Sequence, residues 1–414
     1  MALLKLYDLC MHIIHPFLHL VAPLFYNKES SNQRLSRSFP LKRSGSYVWV
    51  HGASLGELKT LEPLLKSISK NTTLNLIITS SSKRSFDGIV AFAKKYGDHQ
   101  FIPFDVPAFR QHFLNYWQPK LVIWTESDLW PGFLNEIKKN NIPLYLINGK
   151  LSQRSKKRWR HISKTFQKMM GCFTKIYAQS QKDQEAYNDL EINSAEYMGN
   201  IKFLQGVTAE KNQKLNLCIP SDKLSWLASC THSGEEEILI NVHKKILIKH
   251  PNTLLIIAPR HPHRAQEVAE LCQKVNLSYQ FYSKNDQIES NVLIFDVFGN
   301  LSELYKKMHF SFLGGSFINK GGHNPIEALT NHCKLIVGPH HQGNHSLYEP
   351  FIDKPFINIA FTEGDLFKLV LEELENKDDR NKFFEESDQI INTEQKKAQY
   401  LVKEMTNIIK KINQ

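Results

Sequence analysis

The residues best placed to do chemistry are a few acids and cations that directly follow short apolar runs. Ser46 to His51 reads as a buried strand that enters Gly52-Ala-Ser-Leu-Gly-Glu57, and Leu58 to Ser69 then has helical apolar spacing. Glu57 therefore belongs in a first helical turn, where the helix dipole favours a carboxylate. There it either accepts a proton from a substrate hydroxyl as a general base or simply caps the helix. Glu126 and Asp128 follow a second run, Lys120 to Trp124, in Thr125-Glu-Ser-Asp-Leu-Trp-Pro131. Two acids at the end of a buried strand are costly unless they bind something, pair with a cation or lie in a solvated loop. Lys202 lies in Gly199-Asn-Ile-Lys-Phe203, just before a polar, lysine-bearing stretch that reads as an interdomain linker. Arg260 follows the run Thr253 to Ala258, where its guanidinium can form paired bonds to a phosphate.

A glycine-rich stretch organises the second half. His309 to Leu313 reads as a buried strand that breaks at Gly314-Gly315, passes Gly321-Gly322 and enters a helix at His323-Asn324-Pro325. Asn324 suits an N-cap and Pro325 a first turn, while helix-start N–H groups favour an anion. The stretch reads as a phosphate cradle, or as a tight strand-to-helix turn of an α/β domain. It matches neither the Walker loop nor the G-x-G-x-x-G fingerprint.

A scaffold that gathers strand ends is needed, and βα alternation supplies it twice. Strands are expected at Leu74 to Thr79, Pro143 to Asn148 and Thr174 to Gln179, with helices at Ser82 to Lys95 and, strongly basic, Gln153 to Lys168. In the second half, Trp226 to His232 reads as a strand, and Ser233 with Glu236 has capping-box spacing. Open parallel sheets bind ligands beyond their carboxyl ends, where Glu57, Glu126, Arg260, Gly299-Asn300 and Asn324 to Glu327 would all fall.

With 414 residues the chain divides naturally into two domains. The expected segments are a membrane-associating segment, 1–27; an N-terminal domain, 28–206; a C-terminal domain, 207–394; and an amphipathic C-terminal helix, 395–414, that packs back across the domains. A hydrophobic fraction of 42% argues against large-scale disorder, and the net charge of +11 points to an acidic partner. No nucleic-acid reading motif accompanies that charge, so the basic helix is either a solvated face or an approach surface for anionic lipid. Six cysteines without a C-x-x-C pair read as reduced thiols, and the histidines lack ligand spacing, so no metal is expected. Leu9 to Tyr26 is apolar and followed by Lys28, Arg34, Arg37, Lys42 and Arg43. It spans a bilayer marginally, lies in the interface, which three histidines and two prolines suit at least as well, or forms a buried amphipathic hairpin covering the first domain; in a membrane the basic run would hold the rest of the chain in the cytoplasm.

In order, the motifs are His51-Gly-Ala-Ser-Leu-Gly-Glu57, Glu126-Ser-Asp-Leu-Trp-Pro131, Asn148-Gly-Lys-Leu-Ser152, Gly199-Asn-Ile-Lys-Phe203, Ser229-Cys-Thr-His-Ser-Gly-Glu235, Pro259-Arg-His-Pro262, Gly314-Gly-Ser316, Gly321-Gly-His-Asn-Pro-Ile-Glu327 and Gly338-Pro-His340. With these the chain resembles the 3-deoxy-D-manno-octulosonic acid (Kdo) transferases that act on lipid A precursors. The resemblance implies an α/β GT-B fold, two Rossmann-like domains facing a central cleft. It implies an inverting, metal-independent glycosyltransferase of lipopolysaccharide core biosynthesis that needs no cofactor. CMP-Kdo would be the donor and lipid IVA the acceptor, at the cytoplasmic face of the cell inner membrane, with one or more Kdo added and no nucleic-acid partner. By residue, it implies Glu57 as general base and Glu126 and Lys202 as stabilisers of the transition state. It assigns Pro259, Arg260, Phe298, Gly299, Asn300, Asn324, Pro325, Ile326 and Glu327 to the CMP of the donor. Three positions depart from the family pattern: Asn300 replaces a usual Glu, Lys150 a usual Arg, and Ser127-Asp128 a usual Thr-Glu. Another GT-B enzyme such as a nucleotide-sugar epimerase, or a catalytically silent nucleotide or lipid sensor, are the competing readings.

Overall fold

The computed structural model describes residues 2–82, 86–205, 215, 217–284, 287–297, 299–376 and 380–412. The chain forms two compact units, Met1–Leu204 with Glu394–Gln414, and Gln205–Thr393. In the first unit β1 (Tyr47–His51), β2 (Asn75–Ser80), β3 (Asp98–Phe101), β4 (Pro119–Thr125), β5 (Leu144–Gly149), β6 (Lys175–Ala178) and β7 (Ala195–Tyr197) form one sheet in the order β3-β2-β1-β4-β5-β6-β7. In the second, β8 (Leu224–Thr231), β9 (Thr253–Pro259), β10 (Tyr279–Phe281), β11 (Val292–Ile294), β12 (Phe310–Leu313), β13 (Lys334–Val337) and β14 (Ile357–Ile359) follow the order β10-β11-β9-β8-β12-β13-β14. Every pairing is parallel. Both units are thus Rossmann-like, as the sequence leads one to expect, and the strand order reverses between β1 and β4 and between β8 and β12.

Helices cover both faces of a parallel sheet, so its strands are apolar throughout instead of alternating. All five residues of β1 are buried. Trp49, Phe113, Trp117, Trp124 and Phe133 fill one side of the first sheet. Val48, Val50, Ile78 and Ile123 fill the other, together with Ala398, Leu401, Met405 and Ile409. Those last four belong to the helix Arg380–Ile412, which is part of the first unit from Glu394 onward.

Two local expectations change. The basic stretch is two helices, Gln153–Arg160 and Ser163–Met170, because Ile162 leaves helical geometry at φ −130°, ψ 42°. The break lets Trp159 stack on Phe166 with ring centroids 4.8 Å apart. Likewise Ser233 and Glu236 make no capping box. The helix there, Glu236–Lys249, has Glu235 in the cap position with no side-chain cap bond, for a reason given below.

One buried polar cluster fixes the end of the Glu126 motif. The Asp105 carboxylate accepts from the N–H groups of Gly132 and Phe133, both at 2.8 Å, at the start of the helix Pro131–Lys139. Arg110 donates to the Asp105 carbonyl at 2.6 Å and to Asp8 at 2.9 Å. A Cβ on Gly132 would lie 2.0 Å from the Arg110 guanidinium, so only glycine fits. Gly132→Ala should therefore lower stability by about 1–3 kcal/mol through overpacking. Denaturant unfolding that leaves the midpoint unchanged would show that the cluster relaxes freely.

Candidate active site

The reversal between β1 and β4 places Glu57, Glu126 and Asp128 in one group beyond the strand ends. Glu57 lies at the third position of the helix Leu55–Thr60, which Ser54 caps. Its carboxylate accepts from the Ala53 N–H at 2.9 Å and from the Ser54 hydroxyl at 3.2 Å. The capping geometry is real, yet a capping acid ordinarily titrates low. Burial, reinforced by the neighbouring Glu126 charge, instead pushes Glu57 up to about 7.

The other two acids have dedicated partners. Glu126 adopts φ +57° directly after β4 and meets the Lys202 ammonium at 2.6 Å. Lys202 is held by the short helical turn Ile201–Leu204. That turn is anchored where the buried Asn148 side chain bonds Asn200 and the Ile201 N–H. Lys150 lies near this pair; burial first, then repulsion from Lys202, lowers its pKa. Asp128 feels a burial penalty too. Hydrogen bonds from His51 and Trp130, and from Ser81 at 2.9 Å, outweigh it and hold the carboxyl at about 2. His51 is fully buried, which favours its neutral form; its Nδ1 meets Thr79 at 2.8 Å and its Nε2 faces Asp128 at 3.3 Å. The partnership of His51 with Asp128 is a contact that sequence spacing did not reveal, since 77 residues separate the two.

In the second unit a cavity of about 190 Å³ lies at the carboxyl ends of β9 and β11, lined by Cys230, Pro259, Arg260, Gly299, Asn300 and Glu327. Among the described residues the Arg260 side chain has no hydrogen-bond or ion-pair partner. By contrast, Arg264 is engaged by Glu236 at 2.7 Å and by Glu267. Asn300 precedes the helix Leu301–Lys307, and its side chain makes no cap bond. Asn324 accepts from the Ile326 N–H at 2.9 Å, but Pro325, expected in the first turn, holds the cap position of the short helix Ile326–Thr330, which has no side-chain cap bond. Glu327 accepts from Ser302. Phe298 lies outside the described residues.

The phosphate-cradle reading of Gly314-Gly315 is overturned. Glu235, fully buried, accepts from the N–H groups of Gly315 at 2.8 Å and of Ser316 and Phe317 at 3.0 Å. It also accepts from the His232 N–H at 3.1 Å. The anion that the loop binds is thus the protein's own carboxylate, which is why Glu235 caps no helix. Gly314 permits the close approach: a Cβ there would lie 2.3 Å from the Cys230 carbonyl. A further feature without a sequence signal is the pair His232 and His323, whose rings stack with Nε2 atoms 2.8 Å apart.

Comparison with known proteins gives this geometry a family. The family model described as 3-deoxy-D-manno-octulosonic-acid transferase (kdotransferase) matches residues 29–205. The 3-deoxy-D-manno-octulosonic acid transferase of Rickettsia felis is 34% identical over 320 residues, covering 75% of this chain and 68% of the relative. That of Haemophilus influenzae is 32% identical over 304 residues, covering 71% and 70%. The chain belongs to the Kdo transferase family. It is an enzyme, a glycosyltransferase. The crystal structure of a glycosyltransferase from Rickettsia africae shares the fold at TM-score 0.59 and 14% identity, covering 89% of this chain and 99% of that one.

The position of the Kdo transferase's Glu57 between carboxylates carries a stability consequence. Its folded pKa is raised above the unfolded value, so the folded chain retains a proton that the unfolded chain releases. The contribution is fully present below about pH 4.5 and is lost as pH rises towards 7. Glu57→Gln removes the titration and should stabilise the enzyme by about 2 kcal/mol at pH 8, and by little at pH 4.5. Unfolding curves at the two pH values check this; equal effects at both would mean that Glu57 is not held near neutrality.

Proposed function

We propose that the enzyme transfers Kdo from CMP-Kdo to a hydroxyl of the lipid A precursor lipid IVA, with inversion at the anomeric carbon, at the cytoplasmic face of the cell inner membrane. The observation that carries the reading is Glu57, a carboxylate pushed up to about 7 by burial and by the charges of two neighbouring acids, Glu126 held by Lys202 and Asp128 held by Ser81. A base poised near the working pH is half deprotonated there, yet strong enough to accept a hydroxyl proton. The acceptor oxygen attacks the anomeric carbon as its proton passes to Glu57. The new C–O bond forms while the bond to the CMP phosphate breaks. Lys202, oriented by Glu126, stabilises charge in the transition state, and the fixed cation needs no reorganisation to do so.

On the donor side, Arg260 is the unengaged guanidinium beside the cavity that Gly299, Asn300 and Glu327 also line. It binds the CMP phosphate and carries the charge of the departing group, so the reaction needs no metal. Pro259, Asn324, Pro325 and Ile326, with Phe298, complete the nucleotide site. Asn300 offers an amide to the ribose in place of a carboxylate. The apolar helix at the N-terminus brings the enzyme to the bilayer in which the acceptor lies, and one or more Kdo residues are added.

Detergent-dispersed enzyme incubated with lipid IVA and CMP-Kdo, the latter generated in situ, should yield products heavier by one or more Kdo units in a mass spectrum. Glu57→Gln should lower the rate by about 10²–10⁴. The parent kcat/KM should fall as pH drops below about 7, where Glu57 takes up its proton. Transfer that survives in the variant would remove Glu57 from the role of base. For the donor site, Arg260→Lys keeps the charge but loses the paired geometry. Calorimetric titration with CMP should show about tenfold weaker binding, and unchanged affinity would move the phosphate elsewhere.

A further inference from the structure

We propose that the N-terminal helix, Ala2–Phe25, lies flat in the headgroup boundary of an anionic phospholipid bilayer, docked lengthwise on the first unit, instead of crossing the bilayer. This rests on the reading of the enzyme as one that works at a membrane. By length and composition, Leu3–Phe25 could cross one. Its contacts argue otherwise.

One face of the helix is engaged by the protein along its full length. Tyr7 donates to Asp105 at 2.7 Å and Asp8 accepts from Arg110 at 2.9 Å. Further on, Met11, Leu18 and Ala22 join Leu35, Val106 and Phe109 in one apolar cluster. His15 and His19 meet the Phe109 ring edge to face. The spacing 7, 8, 11, 15, 18, 22 is that of a single helical stripe. A second stripe, Leu6, Ile13, Phe17, Leu20 and Leu24, is 54%, 61%, 61%, 74% and 79% exposed. A helix of this length is about 36 Å long, so the two faces run in parallel from end to end.

A spanning helix would have to give up one of two things. Leaving the unit would strip Arg110, only 1% exposed, of Asp8 and deprive buried Asp105 of its Tyr7 bond. Crossing with those contacts intact would carry Asp105 and Arg110 into hydrocarbon. Pro16 and Pro23 lie inside the helix and leave the carbonyls of His12 and His19 without their helical donors. In a bilayer core only neighbouring protein groups or trapped water could satisfy these carbonyls, whereas at the interface bulk water reaches them. Lying flat satisfies every one of these conditions.

Charge identifies the surface. Residues 2–43 carry six Lys and Arg against two acids, and one of those acids, Asp8, is paired with Arg110. Lys5, Lys28 and Arg37 are exposed on and beside the helix. Apolar residues on one face flanked by exposed cations match an anionic lipid surface.

The test uses the full chain on vesicles of phosphatidylglycerol and phosphatidylethanolamine. Leu6→Cys, Ile13→Cys and Leu20→Cys, each in a Cys10→Ser/Cys218→Ser background, carry an environment-sensitive fluorophore that is quenched by lipids labelled at graded depths. All three probes should report the same shallow depth. A probe at Ile13 lying far deeper than those at Leu6 and Leu20 means a spanning helix and overturns the proposal. Phe17→Lys should weaken vesicle binding by about tenfold or more, and so should neutral phosphatidylcholine vesicles, while transfer to detergent-dispersed acceptor stays at the parent rate. Binding insensitive to both changes also overturns the proposal. Loss of transfer alongside normal binding would bear on the proposed reaction and leave this surface standing.

Discussion

Three carboxylates gathered in one poorly solvated place set the terms for the first unit. Glu57 cannot ionise cheaply there, because burial and the charges of Glu126 and Asp128 all oppose it, and burial penalises Asp128 as well. Two are resolved by partners brought from far along the chain: Lys202 for Glu126, and His51 with Ser81 for Asp128. Glu57 has only one backbone N–H and one hydroxyl, and it is the group left near neutrality. A strained φ of +57° at Glu126 and the buried Asn148–Asn200 bond under Lys202 are what hold this arrangement in place.

The second unit meets the opposite requirement. Its strand-to-loop transition at β12 exposes three successive N–H groups that need an anion, and the buried Glu235 supplies it. Among the described residues Arg260, beyond the end of β9, lines the cavity with its charge unengaged. Its neighbour Arg264 is engaged by Glu236 and Glu267.

The carboxylate group of the first unit is physically continuous with the docked helix. Tyr7 and Asp8 engage Asp105 and Arg110, and Asp105 caps the helix that begins just after Trp130. Arg34, buried among Tyr26, Phe101, Phe104 and Trp130, donates to the Ser81 carbonyl at 2.6 Å, and the Ser81 hydroxyl bonds Asp128. The N-terminal helix and the carboxylates thus rest on two polar clusters of the same unit. Such contacts stabilise only when complete, because each unpartnered charge in them costs several kcal/mol.

Periodicity and composition alone determined a good deal. Apolar runs such as Tyr47–Val50 and Leu254–Ala258 can only be strands buried on both faces, and their alternation with helical spacing requires parallel sheets. Those sheets in turn put Glu57, Glu126 and Arg260 at strand ends. Local spacing also made Glu57 a first-turn acid. Tertiary structure decided what each of these groups touches. Neither the pairing of His51 with Asp128 nor that of Lys202 with Glu126 has a local signature, because the partners lie 77 and 76 positions apart. Glu235 has the spacing of an ordinary helix-start acid, yet a loop 80 residues later claims it. Nothing in the apolar N-terminal run announces that Tyr7 and Asp8 bond Asp105 and Arg110 of the folded unit. Backbone pattern is a property of neighbours in sequence and can be read from it; the pKa of a carboxylate depends on its neighbours in space, and only the fold supplies those.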